Sequence, residues 1–456
     1  MTTIKLDPGA ALLLDALHGA GHAAYAVGGC VRDSLLGLAP HDWDLCTSAR
    51  PEQVMALFGE EKCIPTGLQH GTVTVKQGGR LYETTTFRTE GAYSDGRHPD
   101  AVRFVPDVRE DLARRDFTIN AMAYSAEEGL IDPFGGRDDL AAHLVRAVGE
   151  PERRFEEDAL RILRLYRFAA RFGFAIDPAT GAAARALGPH LDCVSAERIQ
   201  EELLKLLAAP RPGSYLEPAV LAVVLPELEP EKQPERFAEL CRTIDRIEPT
   251  AENVPARLAA LLCPLGEAGA RKALRKLKCS NALTDEVTAL VGGSVGSFLL
   301  PRSRDRRAGS SSEDRPLGWD PAAAGSRAGD GMARTVSEEE APGTPGSEMQ
   351  LTAKRLLGRY ELPTIQRLTA LCSARHPEQA EAFAALRAEA EQLTAENACC
   401  RVSQLAVNGR DLMAAGVRPG PGLRQVLNAL LEVVITGQTP NEKDALLAAA
   451  AQFSAS

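Results

Sequence analysis

The spacing of apolar positions changes about a third of the way along the 456-residue chain. Up to about residue 150, short β-branched or aromatic runs alternate with short helical ones. His22–Val27 predicts a strand running into Gly28-Gly29, and Cys30–Leu36 a short helix. Trp43–Cys46 predicts the next strand, and Ser48 with Pro51 and Glu52 the capped start of another helix. Val73–Val75, Tyr82–Phe87 and Val102–Val105 predict further strands between turn residues. That alternation is the pattern of an α/β layer. From about Pro151 the strand signals fade. Residues 153–172, 196–208, 254–263, 268–279, 349–372 and 423–436 all predict helices, so the second half reads as an all-α array.

Residues 301–347 break both rhythms. They are rich in Gly, Ser, Pro, Ala and mixed charge, and predict a disordered insertion rather than a partner-binding segment around Trp319. The net charge of −10 argues against bulk attraction to nucleic acid but leaves room for a local basic surface. Ten cysteines without a CxxC pair exclude zinc-site spacing and fit reduced thiols in a cytoplasmic protein. No apolar run approaches the length of a membrane span, so no membrane partner is expected.

Candidate chemistry begins at Gly28-Gly29-Cys30-Val31-Arg32-Asp33. Two glycines between strand and helix allow a phosphate to approach the backbone, and Arg32 can add charge there. Asp42 and Asp44 follow. On a strand they would share a face, and adjacent carboxylates repel unless a hard cation such as Mg²⁺ sits between them. Glu83, on LYETTTF, is either a third carboxylate or a solvent-facing strand residue. Arg114-Arg115-Asp116 precedes another predicted helix, where on physical grounds alone it reads as a cap with surface ion pairs. Downstream, Asp158, Arg161, Arg164, Arg167 and Arg171 lie on a predicted helix that is otherwise nearly all apolar. Buried arginines need anions, supplied either by a structural salt-bridge ladder or by a triphosphate and a base edge.

The stretch AYAVGGCVRDSLLGLAPHDWDLCTSARPEQV resembles motif A of the class II tRNA nucleotidyltransferase and poly(A) polymerase family, within the DNA polymerase beta superfamily. Arg114–Ala121 resembles its motif B, and Glu157-Asp158-Ala159-Leu160-Arg161 its EDxxR motif. Asp132–Leu140 resembles the glycine-containing hinge between head and neck. The resemblance implies that Asp42 and Asp44 are catalytic and hold Mg²⁺. It implies that Gly28, Gly29, Arg32, Arg115 and Asp116 contact the nucleotide. It further implies that Asp158 and Arg161 select the base, with Arg164 and Arg167 as additional nucleotide contacts. An aspartate acceptor beside an arginine donor matches the edges of C and A and leaves those of G and U unpaired.

The implied fold is an α/β nucleotidyltransferase head with a mixed sheet, followed by an all-α neck, body and tail. The expected boundaries are 1–150 for the head, 151–210 for the neck, 211–300 for the body, 301–347 for the insertion and 348–456 for a tRNA-binding body and tail. Pro65–Val75 resembles the tRNA enzymes rather than bacterial poly(A) polymerases, and Arg88–Arg97 resembles a flexible loop that CC-adding relatives lack. The expected activity is therefore addition of C, C and A to tRNA from CTP and ATP. A-only addition, a poly(A) polymerase and a catalytically silent RNA-binding protein are the alternatives. Val407–Leu412 and Gly416–Gly420 resemble the family's tail, and Ala270–Lys278 is either a phosphate-contacting strip or a solvated face. No phosphohydrolase ligands are found near Leu261–Leu265.

Overall fold

Asp7 and Pro8 start the first helix, α1 (Pro8–Gly19): the Asp7 carboxylate accepts from the Gly9 and Ala10 N–H groups at 3.0 and 3.3 Å. The same carboxylate takes the Tyr82 hydroxyl at 2.5 Å, so the cap also pins α1 to the sheet. This computed structural model describes residues 3–91, 102–295 and 345–454. Part of the expected flexible loop, and the insertion through residue 344 with Trp319, lie outside the described residues.

The head strands are β1 (Ala24–Val27), β2 (Leu45–Thr47), β3 (Cys63–Gly67), β4 (Thr72–Gln77), β5 (Arg80–Thr86), β6 (Arg88–Glu90), β7 (Val102–Phe104), β8 (Ala123–Ser125) and β9 (Gly129–Ile131). Seven of them form one sheet in the order β3-β4-β5-β2-β1-β8-β9. β2 and β5 run parallel, with Leu45 opposite Thr84, and every other pairing in that sheet is antiparallel. This is the expected mixed sheet. The helices of the head are α1, α2 (Gly29–Leu35), α3 (Pro51–Phe58), α4 (Val108–Ala113) and α5 (Gly136–Ala141). Tyr25, Val27, Cys46, Phe87, Val108, Leu112, Ala123 and Val148 make a core under the sheet. Burying each of the larger side chains stabilises the head by roughly 2 kcal/mol.

Several local expectations need correction. β2 starts at Leu45, not Trp43, so Asp42 and Asp44 precede the strand. Extended alternation nevertheless continues through them, because Trp43 is buried while both aspartates are exposed. α3 is capped by Arg50 rather than Ser48, whose hydroxyl instead accepts from the Ala23 N–H. The expected hinge at Asp132–Leu140 is a turn that leads at Gly135 into the helix α5. Asp132 accepts from the Gly136 and Arg137 N–H groups, and a Cβ on Gly136 would lie 2.2 Å from the Thr118 carbonyl oxygen. That glycine serves close approach rather than bending.

Beyond the head, the single helix expected over 153–172 is two, α6 (Pro151–Glu157) and α7 (Leu160–Phe172). The run 349–372 is likewise split, into Pro345–Arg359 and Leu362–Arg375. The second half is not wholly helical either. Leu144–Val145 (β10) pairs in parallel with Ala175–Ile176 (β11), a short ladder that ties the head to the segment after α7. Helices α8 (Pro178–Ala186) and α9 (Ala196–Leu207) follow, then further helices to Val295. The chain forms two compact units, one reaching to Val295 and including Ala370–Pro377, the other holding the remaining C-terminal residues. The second has its own core of Leu405, Val407, Leu412, Val426, Leu430, Leu446 and Ala450.

Candidate active site

Gly28 ends β1 with φ +77, a conformation that side-chain-bearing residues rarely adopt, and its N–H donates to the Met122 carbonyl at 3.1 Å. A Cβ at Gly28 would lie 2.8 Å from Nη1 of Arg115, so the turn and that guanidinium face each other at close range. Arg115 is the least committed cation of the site. Its one ion pair, to Asp111, is 3.5 Å long, and its buried Nε has no hydrogen-bond partner among the described residues. Arg32 is different. It is buried, donates to Asp33 and Asn120, and lies against the rings of Phe168 and Phe172. It underlies Gly29, where a Cβ would sit 3.6 Å from Nη2, and burial lowers its pKa.

The parallel register that sets Leu45 against Thr84 brings Asp44 beside Glu83. Asp44 is reached by solvent, yet it lies in a recess. Burial, the Glu83 charge and the Asp42 charge together outweigh Arg115 and push its carboxyl up to about 6. Glu83 is thus the charged neighbour that weighs most on Asp44. Asp42 points outward and pairs with His41 at 2.9 Å. Among the described residues, no three His, Cys, Asp or Glu side chains are gathered as a metal cage.

Asp116 and the arginines of α7 form an ion-pair ladder. Asp116 takes Arg164, Glu202 takes Arg167 at 2.9 Å and Arg164 at 3.8 Å, and Asp33 takes Arg171 at 3.1 Å. Burial and neighbouring Arg164 bring the Arg167 guanidinium down to about 10. Arg167 also lies 4.1 Å from the centroid of the Phe168 ring. Each arginine of the series thus has a resident carboxylate. The ladder places Arg32, Asp116, Arg164 and Arg167 in one connected cluster.

Asp158 and Arg161 do not share a helix face as expected. Asp158 has extended backbone (φ −149, ψ 102) at the break between α6 and α7. Its carboxylate accepts from Arg198 of α9 at 3.2 and 2.8 Å and from the Leu160 N–H at 3.1 Å. Arg161 is held by Glu157 at 2.8 Å and by the carbonyls of Arg154 and Arg114. A separate cavity of about 660 Å³, lined by Tyr166, Phe174, Arg185 and Glu217 among others, includes none of these residues.

The chain is similar to known proteins over most of its length. A family model for the poly A polymerase head domain matches residues 24–146, and one for tRNA nucleotidyltransferase domain 2 matches 355–450. A third, "Probable RNA and SrmB-binding site of polymerase A", matches 173–232. The CCA-adding enzyme of Lactobacillus helveticus is 34% identical over 95% of this chain and 94% of its own length. That of Geobacillus stearothermophilus is 34% identical over 94% and 92%. The chain belongs to the CCA-adding enzyme family. The Bacillus stearothermophilus CCA-adding enzyme in complex with CTP matches the structure with a TM-score of 0.73 at 30% identity, over 98% of both chains.

Within this family member, residue-by-residue reading missed four contributors: Asp33, Asn120, Arg198 and Glu202. Arg198 and Glu202 stand four apart on α9, so helical spacing alone puts them on one face, but nothing local signals what they hold. Of the expected basic strip, Arg271 pairs with Asp285 and Lys278 with Glu197, while Lys272, Arg275 and Lys276 remain exposed. In the second unit, Asn408 and Asp411 form a capping box, and Arg410, Arg418 and Arg424 are exposed. No helix among the described residues is long and apolar enough to cross a membrane.

Proposed function

We propose that this protein adds C, C and A in turn to the 3′ end of tRNA, using CTP and ATP and releasing pyrophosphate. The observation that carries the reading is Asp44 beside Glu83, with Arg115 opposing them across the Gly28 turn. A recess that combines paired carboxylates with a loosely paired arginine suits phosphoryl transfer, where positioning and charge compensation do most of the catalysis. The tRNA 3′ oxygen forms the new bond to the α-phosphorus as the bond to the β-phosphate oxygen breaks.

Each group then has a role. Arg115 and the backbone at Gly28 and Gly29 receive the triphosphate, supported from beneath by Arg32. Asp116, Arg164 and Arg167 frame the sugar and phosphates. Asp158 accepts from the exocyclic amine of C or A, and Arg161 donates to the adjacent ring acceptor. Asp42 and Asp44 would hold Mg²⁺, which would supply charge neutralisation for the attacking and leaving oxygens, with Glu83 adding negative charge beside Asp44. Hard carboxylate donors fit that ion, and so does the raised Asp44, whose crowding by negative charge a cation would relieve.

We assign residues 1–150 to the head, 151–210 to the neck, 211–300 to the body, and 348–456 to the body and tail. Exposed Lys272, Arg275 and Lys276, together with Arg410, Arg418 and Arg424 of the tail, are the cations offered to the tRNA backbone. All ten cysteines are free thiols, which supports action in the reducing cytoplasm.

Three tRNA transcripts, ending before CCA, after C and after CC, test the reading with each labelled nucleotide and Mg²⁺. Stepwise gain of C, C and A is the expected result. Addition of A alone to the CC-ended transcript would replace the reading with an A-adding enzyme, and long A tails would make it a poly(A) polymerase. No incorporation would leave a silent RNA-binding protein.

A further inference from the structure

Asp158 and Arg161 are each held by neighbours in a way that leaves one edge open. A carboxylate offers about four lone-pair sites. On Asp158, Oδ1 takes both the Leu160 N–H and Nη1 of Arg198, while Oδ2 takes Nη2 of Arg198. One acceptor position remains, on Oδ2. Arg161 spends Nη1 on the Arg154 carbonyl and Glu157, and one Nη2 hydrogen on the Arg114 carbonyl. Its Nε–H and the second Nη2 hydrogen take no partner among the described residues. The pair therefore presents a single acceptor and a two-hydrogen donor edge.

We propose that Arg198 is a positioning residue for base selection, an inference that rests on the proposed function. Asp158 lies at a break between helices and lacks the constraint of a helical backbone. Its carboxylate plane is set instead by the two-point contact with Arg198, in which donor geometry matches acceptor geometry. Position matters because uracil and guanine carry a ring N–H next to their carbonyl. A carboxylate free to rotate or slide could accept from that N–H, whereas one fixed opposite the exocyclic group meets a carbonyl oxygen and is left unpaired. Arg198 thus converts an acceptor that any base could satisfy into one that fits only C and A.

The helix that carries Arg198 is itself anchored. Ile199, Leu203, Leu206 and Leu207 bury one side of α9, and Glu202, four residues on from Arg198, is buried against Arg167 and Arg164. One face of α9 therefore holds both the base-reading carboxylate and the arginines beside it. Arg198 is half-buried, so its contact with Asp158 is shielded but not sealed from an arriving base.

The experiment measures kcat and KM for CTP and UTP separately, on a tRNA transcript lacking CCA, in the natural protein, Arg198→Gln and Arg198→Lys. Thermal melting checks that each variant is folded. The expected result is a fall of about tenfold or more in the CTP-over-UTP ratio of kcat/KM for Arg198→Gln, corresponding to ~1.4 kcal/mol of lost discrimination. Arg198→Lys, which keeps the charge but one contact instead of two, should fall between the two. If Arg198→Gln does not fold, the intermediate ratio of Arg198→Lys decides. Folded variants with the natural ratio would overturn the inference. So would a lower KM for CTP with the ratio intact, because Arg198 would then be a competitor that nucleotide displaces. A natural protein that adds no C would overturn the functional reading itself, and this inference with it.

Discussion

Arg164 of α7 donates from both Nε and Nη2 to a single oxygen of Asp116, at 2.9 and 2.6 Å, joining that helix to the head across 48 residues of sequence. The other Asp116 oxygen is occupied by the Phe117 N–H and the Asn120 amide. Burial alone would raise this carboxyl, but Arg164 and Asn120 outweigh it and hold the group far below the usual carboxylate range.

That shift fixes the sign of a pH effect. A carboxyl whose folded pKa is depressed contributes stability above its unfolded pKa of about 3.9 and loses it as pH falls toward the folded value. The contribution of Asp116, read in thermal melts as the stability difference between the natural protein and Asp116→Asn, should therefore hold steady from pH 7 to about 5 and decline below about 4. Asp116→Asn, which leaves Arg164 without its anion, should be less stable at pH 7 by about 2–3 kcal/mol. The gap between the two should narrow toward pH 3. A gap of constant size down to pH 3 would show that Asp116 acts by shape and not by charge.

Asp44 and Glu83 lead to a second prediction. Asp44→Asn and Glu83→Gln should each lower nucleotide incorporation by at least about a hundredfold, since each removes a charge from a metal-activated phosphoryl transfer. Both variants should melt at or above the natural temperature, because each relieves like-charge crowding in the recess. Asp42→Asn should lose activity with a smaller gain in stability than Glu83→Gln, because Asp42 weighs less on Asp44 than Glu83 does. Incorporation assays with Mg²⁺, and after its removal by EDTA, read all three. Full activity of Glu83→Gln would return that residue to the solvent-facing reading.

How much of this was legible in the sequence depended on the range of the interactions. The Gly28-Gly29 turn and the aspartates around Trp43 could be read because their signals lie within a few residues. The break at Asp158 could not, since Leu160–Phe172 is so apolar that its periodicity extends smoothly back through α6. Asp158 interrupts the helix by accepting from the Leu160 N–H two residues on, a local competitor of helical bonding that spacing rules do not weigh. The partners of the arginines were also hidden, because Asp33, Asp116 and Glu202 come from segments far apart in the chain. Both readings of those arginines survive in one object: the ladder is structural, and it is built around the proposed nucleotide site.

Arg257 went unremarked in the sequence because it lies in a helix that reads as plain core. It is fully buried, and its guanidinium donates to the carbonyls of Leu207, Ala209, Pro210 and Ile247. These include the last carbonyl of α9 and two just beyond it, so one cation satisfies buried acceptors at a helix end. Arg257→Met keeps the volume and strands those carbonyls. We expect a loss of about 3 kcal/mol in chemical denaturation, with catalytic constants little changed at low temperature. A loss below about 1 kcal/mol would mean that the carbonyls find other donors.

Gly28 gives the sharpest local test of the phosphate-binding turn. Alanine there must hold φ near +77 and place its Cβ 2.8 Å from Nη1 of Arg115. The backbone strain costs about 1–2 kcal/mol. The steric clash falls on a flexible side-chain end, so Arg115 should be displaced instead of the fold being lost. The expected signature is a lower melting temperature together with a rise in KM for CTP and ATP alike, lowering kcat/KM by about tenfold or more. Gly29→Ala should do less harm, because Gly29 is helical and its Cβ would meet Arg32 at an ordinary 3.6 Å. Parallel kinetics of the two variants separate the turn's role in nucleotide contact from its role in chain reversal. An unchanged KM in a folded Gly28→Ala protein would remove Arg115 and this turn from the triphosphate site.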